Sequence, residues 1–230
     1  MTQDTYYDRS FDELRTGFTA AVSHELRTPL ARILALLDSA DLPGADVHGL
    51  IEQARDEVEN AGALIDEILF LSELESGKEI VSLGHTNALP VLESVAASLE
   101  DSAARAGVEI EVDGDPDVDL PLRPRMLRML AKNLAENAIR YSGHGSTFTL
   151  SIRRSGDFAV LTAADDGTGV DELTLNRLFE RFYRGDAART TRGTGLGLSI
   201  VKHMVAAAGG EVQASGARGR GLQIRCTFPR

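Results

Sequence analysis

Ser23-His24-Glu25-Leu26-Arg27-Thr28-Pro29-Leu30 lies inside a run in which Phe11, Leu14, Phe18, Val22, Leu26, Leu30, Ile33 and Leu37 recur at three- and four-residue steps. That spacing is one stripe of a long helix. At about 100° per residue, His24 falls roughly opposite the centre of the stripe and should face solvent. Pro29 removes one backbone donor and is expected to bend the helix just after the histidine. Asp38-Ser39-Ala40-Asp41-Leu42-Pro43-Gly44 breaks the pattern, and a heptad-like run follows at Val47, Ile51, Ala54, Val58, Ala61, Ile65, Ile68 and Ser72. Two helices joined by a short loop each carry an apolar seam wider than one partner covers. A second copy of the hairpin is therefore expected, making a four-helix homodimer. Packing of the hairpin on the rest of its own chain is the competing arrangement.

Ser76-Gly77-Lys78 ends the hairpin, and from about Leu89 helical and strand patterns alternate. Helices are predicted over 89–106, 123–141 and 197–208, and strands over Val108–Val112, Thr147–Arg153, Phe158–Ala163, Glu211–Ala214 and Leu222–Phe228. The chain reads as α+β, a helical hairpin followed by a mixed sheet covered on one face by helices. No internal repeat or extended low-complexity tract interrupts it.

Composition narrows the function classes. With 230 residues, 43% of them hydrophobic, the chain can bury one large core or two small ones. Its single cysteine, Cys226, allows no intrachain disulfide and no cysteine-based metal site, which fits a reducing cytosol. No apolar run approaches the ~18 residues that cross a bilayer, and the N-terminus lacks the basic and apolar regions of a signal peptide. The expected setting is cytoplasmic, with any membrane anchor supplied by a region outside this sequence. Residues 1–76 hold 16 acids against 5 bases, whereas residues 123–230 hold 17 bases against 9 acids. The basic excess of the second segment suits a polyanion such as a nucleotide, although a solvated basic surface would look the same. Nucleic acid is disfavoured by the net charge of -11. His48, His85, His144 and His203 have no metal-ligand spacing and read as surface residues.

Three further stretches carry chemistry. In Arg128–Ser142, Asn133, Asn137 and Arg140 share one helical face, where carboxamide oxygens can ligate Mg2+ and a guanidinium can meet phosphate; a solvated polar face is the alternative. Asp165-Asp166-Gly167-Thr168-Gly169 follows a strand, so a carboxylate that can accept from an adenine amino group emerges beside a tight turn. A plain turn explains those five residues equally well. Gly193-Thr194-Gly195-Leu196-Gly197 precedes a helix and can point unpaired amides at a phosphate chain. It is neither a P-loop nor a dinucleotide fingerprint, because no Gly-Lys-Ser/Thr follows and no strand leads into it. Between the glycine clusters, Phe179-Glu180-Arg181-Phe182-Tyr183-Arg184 offers an aromatic anchor with arginines, parts that suit a lid closing over a nucleotide.

In order, His-Glu-x-x-Thr-Pro, the paired-asparagine helix, Asp-x-Gly-x-Gly, the aromatic-arginine segment and Gly-x-Gly-x-Gly resemble the H, N, G1, F and G2 boxes of sensor histidine kinases. The resemblance runs from about residue 15 to the C-terminus, where Gly219-Arg220-Gly221 and the strand ending at Pro229 also follow the family pattern. It implies a linker from an absent upstream sensor over 1–10, a HisKA-type dimerisation and phosphotransfer hairpin over 11–76, a linker over 77–88 and an ATP-binding domain over 89–230. That last domain is expected to be the α/β sandwich of the Bergerat type shared with gyrase, Hsp90 and MutL.

The implied activity is an ATP-dependent protein-histidine kinase of a two-component system. His24 is the implied phosphoacceptor, Glu25 its base, and Thr28 the residue that orients water for dephosphorylating a response regulator's receiver domain. Asn137 is the implied Mg2+ ligand, supported by Asn133, with Arg140 near the phosphates and Tyr141 against the nucleoside. Asp165 reads adenine beside Gly167 and Gly169, Arg184 stabilises the γ-phosphate, and Gly193, Gly195, Leu196 and Gly197 form the lid's phosphate-facing hinge. ATP and Mg2+ are the implied cofactors; a second copy of the chain and a response regulator are the implied partners. Thr168 stands where the family often has proline and Asp166 where asparagine is frequent, which leaves the stiffness and polarity of that turn open. A catalytically idle nucleotide-binding scaffold and an Hsp90-like ATPase with water as acceptor are the competing readings; intact His24, Glu25 and Asn137 oppose the first, and the hairpin opposes the second.

Overall fold

The computed structural model describes residues 22–23, 25–75, 84–185 and 195–229. His24, Gly193 and the expected start of the first helix at Phe11 lie outside the described residues. The chain divides into two compact units, Met1–Phe70 and Leu71–Arg230.

In the first unit, helix α1 runs over 25–40, through Pro29, and α2 is Val47–Glu75. Helix α1 outlasts the break expected at Asp38, because Ser39 Oγ donates to the Ala35 carbonyl at 2.7 Å and so serves the helix's own backbone. The chain reverses over residues 41–46, where Gly44 takes a φ of 83°. Asp46 then starts α2 by accepting the Gly49 amide at 3.1 Å, the geometry of a helix N-cap. Arg32 Nη1 meets Glu57 Oε1 at 3.4 Å and ties the two helices together, with the Glu57 side chain only 5% exposed. Leu30, Leu34 and Leu37 of α1 and Ile51, Val58, Ile65 and Leu69 of α2 nevertheless stay exposed, Leu34 to 62%. Leu30, Leu37, Ile51, Val58 and Ile65 belong to the apolar runs read from the sequence, whereas Leu34 and Leu69 extend the exposed seam beyond them.

The second unit begins with β1 (Thr86–Asn87), α3 (Ala88–Ala106), β2 (Val108–Gly114) and β3 (Asp119–Leu120). Helix α4 (Pro124–Tyr141), β4 (Ser146–Ser155), β5 (Phe158–Asp165) and α5 (Glu172–Arg177) follow, then α6 (Gly197–Ala207), β6 (Glu211–Gly216) and β7 (Leu222–Pro229). Strands β1 and β3 form an antiparallel pair, and the main sheet has the order β2-β4-β5-β7-β6. Only β2 and β4 run parallel, which requires a crossover, and α4 lies in that connection. Phe148, Leu150 and Ile152 of β4, Leu161 and Ala163 of β5, and Ile224, Cys226 and Phe228 of β7 are buried in the core. Leu92, Val95 and Leu99 of α3, Leu127, Leu130 and Leu134 of α4, and Ile200, Val201 and Met204 of α6 are buried with them.

Alternate residues such as Thr149, Ser151, Gln223 and Arg225 stay at least partly exposed, so the helices cover one sheet face as the alternation implied. Cys226 has no exposed surface, and burial pushes its thiol up to about 12, making it a small core hydrophobe. Three elements escape sequence reading. Strands β1 and β3 are two residues long, and α5 has no buried residue to generate periodicity. Among the described residues no helix is long and apolar enough to cross a membrane.

Candidate nucleotide site

Helix α4 begins with proline in its first turn and buries Met126, Leu127, Leu130, Ala131, Leu134, Ala135 and Ala138. Those positions leave Asn133, Asn137 and Tyr141 half-buried and Arg140 exposed at the border of the apolar face. From Asn133 to Tyr141 the face extends about 12 Å along the helix axis. Each end of it is joined to one of the two glycine-rich turns.

The C-terminal end of α4 receives the first turn. Thr168 donates from its backbone amide to Ser142 O at 2.8 Å and from Oγ1 to Tyr141 O at 2.9 Å. A proline at 168 could make neither bond, so stiffness comes here from hydrogen bonds in place of a ring. A Cβ on Gly167 would collide with the Ser142 backbone, which explains the glycine by close approach. On its other side the turn is gripped by the β6–β7 loop, with Gly219 N donating to Thr168 O at 2.7 Å and Gly221 N to Gly167 O at 3.0 Å.

Asp165 Oδ1 accepts the Gly167 amide at 3.0 Å, and the Leu222 amide also donates to this carboxylate. Burial nevertheless raises the Asp165 pKa above the ordinary carboxylate value, the two amides pull it back in part, and the Asp166 charge adds to the rise. Asp166 is exposed and accepts the Thr147 amide at 2.7 Å, so the extra charge at this position serves as an anchor to β4.

The other end of the face meets the second turn. A Cβ on Gly197, the first residue of α6, would lie 2.8 Å from Asn133 Oδ1. Leu196, fully buried, precedes it, and no side chain caps the helix at that position. Gly195 has a φ of 70° and accepts the Phe182 amide at 3.0 Å. Phe182 itself sits at a φ of 59°, the left-handed region that a side chain disfavours. The aromatic-arginine segment is thus fastened to the glycine turn through backbone, while Arg177 stacks 4.2 Å from the Tyr183 ring centroid and pairs with Glu180 at 2.9 Å. With Arg181, Phe182 and Arg184, these residues line an open depression of about 380 Å³. Arg184 is half-buried in it.

Several contributors were missed by sequence analysis. Asp171 caps α5 by accepting the Thr174 amide at 2.8 Å and pairs with Arg218 at 2.9 Å; these hydrogen bonds, Thr174 first, hold its carboxyl down at about 2. The Asp171 cap followed by Glu172 was a readable helix-start signal, whereas Arg218 is remote in sequence. His203, expected at the surface, is half-buried: its Nδ1 is 2.8 Å from Ser199 O and its Nε2 is 3.1 Å from Arg181 Nη2. In the hairpin unit, Glu25 is half-buried and Thr28 exposed. Among the described residues no group of three or more His, Cys, Asp or Glu could hold a metal ion.

Comparison with known proteins gives two successive matches, separated by residues 78–122. Residues 14–77 match the His Kinase A (phospho-acceptor) domain. Residues 123–230 match the histidine kinase-, DNA gyrase B- and HSP90-like ATPase. The sensor-like histidine kinase SenX3 of Mycobacterium tuberculosis is 32% identical over 221 residues, covering 94% of this chain and 54% of SenX3. The chain thus spans about half the length of that relative. Among solved structures, the histidine kinase AdeS of Acinetobacter baumannii superposes with a TM-score of 0.73 at 24% identity, covering 90% of this chain and 97% of AdeS. Full-length ShkA, solved in complex with AMPPNP, gives 0.68 at 26% identity, covering 91% of this chain and 45% of ShkA. Two family domains matched in order, with relatives of one kind along nearly the whole sequence, make this chain a member of the sensor histidine kinases that carries their phosphoacceptor and ATPase domains.

Proposed function

We propose that the chain transfers the γ-phosphoryl group of ATP to its own His24 and then to an aspartate in the receiver domain of a response regulator. The observation that carries this reading is the α4 face: Asn133 touches the start of α6, and the carbonyls of Tyr141 and Ser142 hold the Asp165 turn. Base-reading and phosphate-facing parts are thereby set about 12 Å apart on one rigid helix. AMPPNP bound to ShkA is consistent with a nucleotide at such a site.

In this reading Asp165 accepts from the adenine amino group, the Gly167 and Gly169 turn lets the base approach, and Tyr141 packs on the nucleoside. Asn137 is the Mg2+ ligand, Asn133 supports it, and Arg140 meets the phosphate tail. Neutral carboxamide oxygens suit Mg2+, which commonly takes few protein ligands and shares phosphate oxygens. When bound, the ion neutralises charge on the phosphates. Gly195, Leu196 and Gly197 present backbone amides at the start of α6, and Arg184 stabilises the transferring group.

A nitrogen of the neutral His24 ring attacks the γ-phosphorus, the N–P bond forms as the bond to the ADP oxygen breaks, and ADP leaves with that electron pair. Glu25 holds the proton on the other ring nitrogen as positive charge develops. The receiver aspartate then displaces the imidazole from phosphorus. Thr28, four residues after His24 in the sequence, orients a water for the reverse duty of dephosphorylating the regulator. The exposed seam of the hairpin supports a homodimer through a four-helix bundle, and the acidic hairpin is the face offered to the regulator, on the cytoplasmic side of any membrane that a longer chain engages.

The test is incubation with γ-labelled ATP and Mg2+, alongside His24→Gln. Acid-labile, alkali-stable label that disappears in His24→Gln is the expected result. Nucleotide binding without any label in the wild type would sink the proposal.

A further inference from the structure

His203 stands on α6 in the second turn after the glycine-rich stretch, half-buried, and both of its ring nitrogens are engaged. Nδ1 lies 2.8 Å from the Ser199 carbonyl, which can only accept, so Nδ1 carries the proton. Nε2 lies 3.1 Å from Arg181 Nη2, which can only donate, so Nε2 accepts. One neutral tautomer satisfies both partners at once, with the helix carbonyl fixing the ring that receives the guanidinium. Arg181 is followed by Phe182 in the left-handed region, which a residue with a side chain disfavours. Contacts on either side must hold it there. Phe182 N bonds Gly195 O at 3.0 Å, and Arg177 covers Tyr183. Arg184 comes directly after these three residues.

We propose that His203 is a positioning residue for phosphoryl transfer: by accepting from Arg181 it anchors the Phe182 turn to α6 and thereby aims Arg184. This rests on the kinase reading and on Arg184 meeting the γ-phosphate. The acceptor at Nε2 is the feature that matters, because an apolar side chain at 203 could not receive the Arg181 guanidinium by a hydrogen bond. Misplacement of a charge-stabilising side chain by about 1 Å can cost on the order of 10²-fold in rate.

The experiment compares the wild type with His203→Leu and His203→Gln, whose side-chain oxygen reaches the position of Nε2. Autophosphorylation rate, Mg-ATP affinity and hydrogen exchange at the Phe182 amide are read on the same 230-residue chains. His203→Leu is expected to slow labelling on the order of 10-fold with affinity within about 2-fold, and His203→Gln to recover most of the rate. Phe182 exchange should quicken about 10-fold in His203→Leu and remain near wild type in His203→Gln. Equal rates in the two variants, or Phe182 exchange unchanged by His203→Leu, overturn the assignment. A wild-type chain that takes up no label refutes the kinase reading itself, so the two failures are separable.

Discussion

The Asn133 carboxamide lies against Gly197, leaving no room for a methyl group: a Cβ there would stand 2.8 Å from Asn133 Oδ1. The obstructed atom is the end of a side chain, so a larger residue can be admitted by moving Asn133. Gly197→Ala is therefore expected to fold, with a melting temperature within a few degrees of wild type, because the helix gains propensity as Asn133 shifts. Mg-ATP affinity should fall about 10-fold, roughly 1.4 kcal/mol. Titration with a fluorescent nucleotide checks this, and unchanged affinity would remove Asn133 from the nucleotide's surroundings.

Asp165 supplies a pH-dependent prediction. Its pKa is raised above 3.8 in the folded chain, chiefly by burial. The folded state thus holds this proton more tightly than the unfolded one, and the resulting stability is complete below 3.8 and lost as the pH rises through the folded value. Asp165→Asn keeps an oxygen for the Gly167 and Leu222 amides without a buried charge. Its melting temperature should exceed wild type by about 1–3 °C at pH 7, with the difference vanishing in acid. Nucleotide affinity should fall at the same time, and calorimetry with a binding titration at two pH values reads both.

The sheet and the large helices were legible because their residues alternate or recur. Phe148, Leu150 and Ile152 point one way and Thr149 and Ser151 the other, so β4 announces itself, and the α4 face follows from the spacing of Asn133, Asn137 and Arg140. Contacts between distant loops had no such signature. Arg181 and His203, or Asp171 and Arg218, are joined by folding across many residues, and nothing in the local sequence of either member names its partner. The significance of Thr168 was also hidden: proline and threonine stiffen the same turn by different means, and only the positions of the Tyr141 and Ser142 carbonyls show which bonds replace the ring.

Gly221 ought to be less tolerant than Gly197. It has a φ of 73°, and a Cβ there would run into the Asp165 carbonyl, which is backbone and cannot turn aside. Gly221→Ala combines left-handed strain with overpacking, a loss of about 2–5 kcal/mol. The melting temperature should drop by about 5–15 °C, and thermal denaturation followed by circular dichroism measures it. A variant as stable as wild type would mean that the loop can move away from Asp165 at little cost.

Asp171 gives the opposite pH dependence. Hydrogen bonds from Thr174 and Arg218 lower its pKa from 3.8 to about 2. The contribution of this cap is present above 3.8 and lost as the pH falls towards about 2. Asp171→Ala should therefore fray α5 at neutral pH, seen as reduced protection of the Thr174 amide, while the main sheet stays protected. Wild-type chains should show the same local loss only in acid, after correction for intrinsic exchange rates.

The hairpin seam makes the last prediction. Leu34 is 62% exposed and Ile65 45%, on helices that already share the Arg32–Glu57 contact, so neither residue is needed to close the hairpin on itself. Burying a leucine is worth about 1.5–3 kcal/mol, and two-fold symmetry applies every substitution twice. Leu34→Glu adds charge to a segment that is already strongly acidic, and it should weaken dimerisation by at least about 100-fold, read as a monomer mass in light scattering at micromolar protein. Leu173→Glu is the control, since Leu173 is 79% exposed on α5, outside the hairpin, and its replacement should leave the mass unchanged. Helical circular dichroism separates lost assembly from lost folding. A Leu34→Glu chain that remains dimeric would show that the seam packs against something other than its own copy.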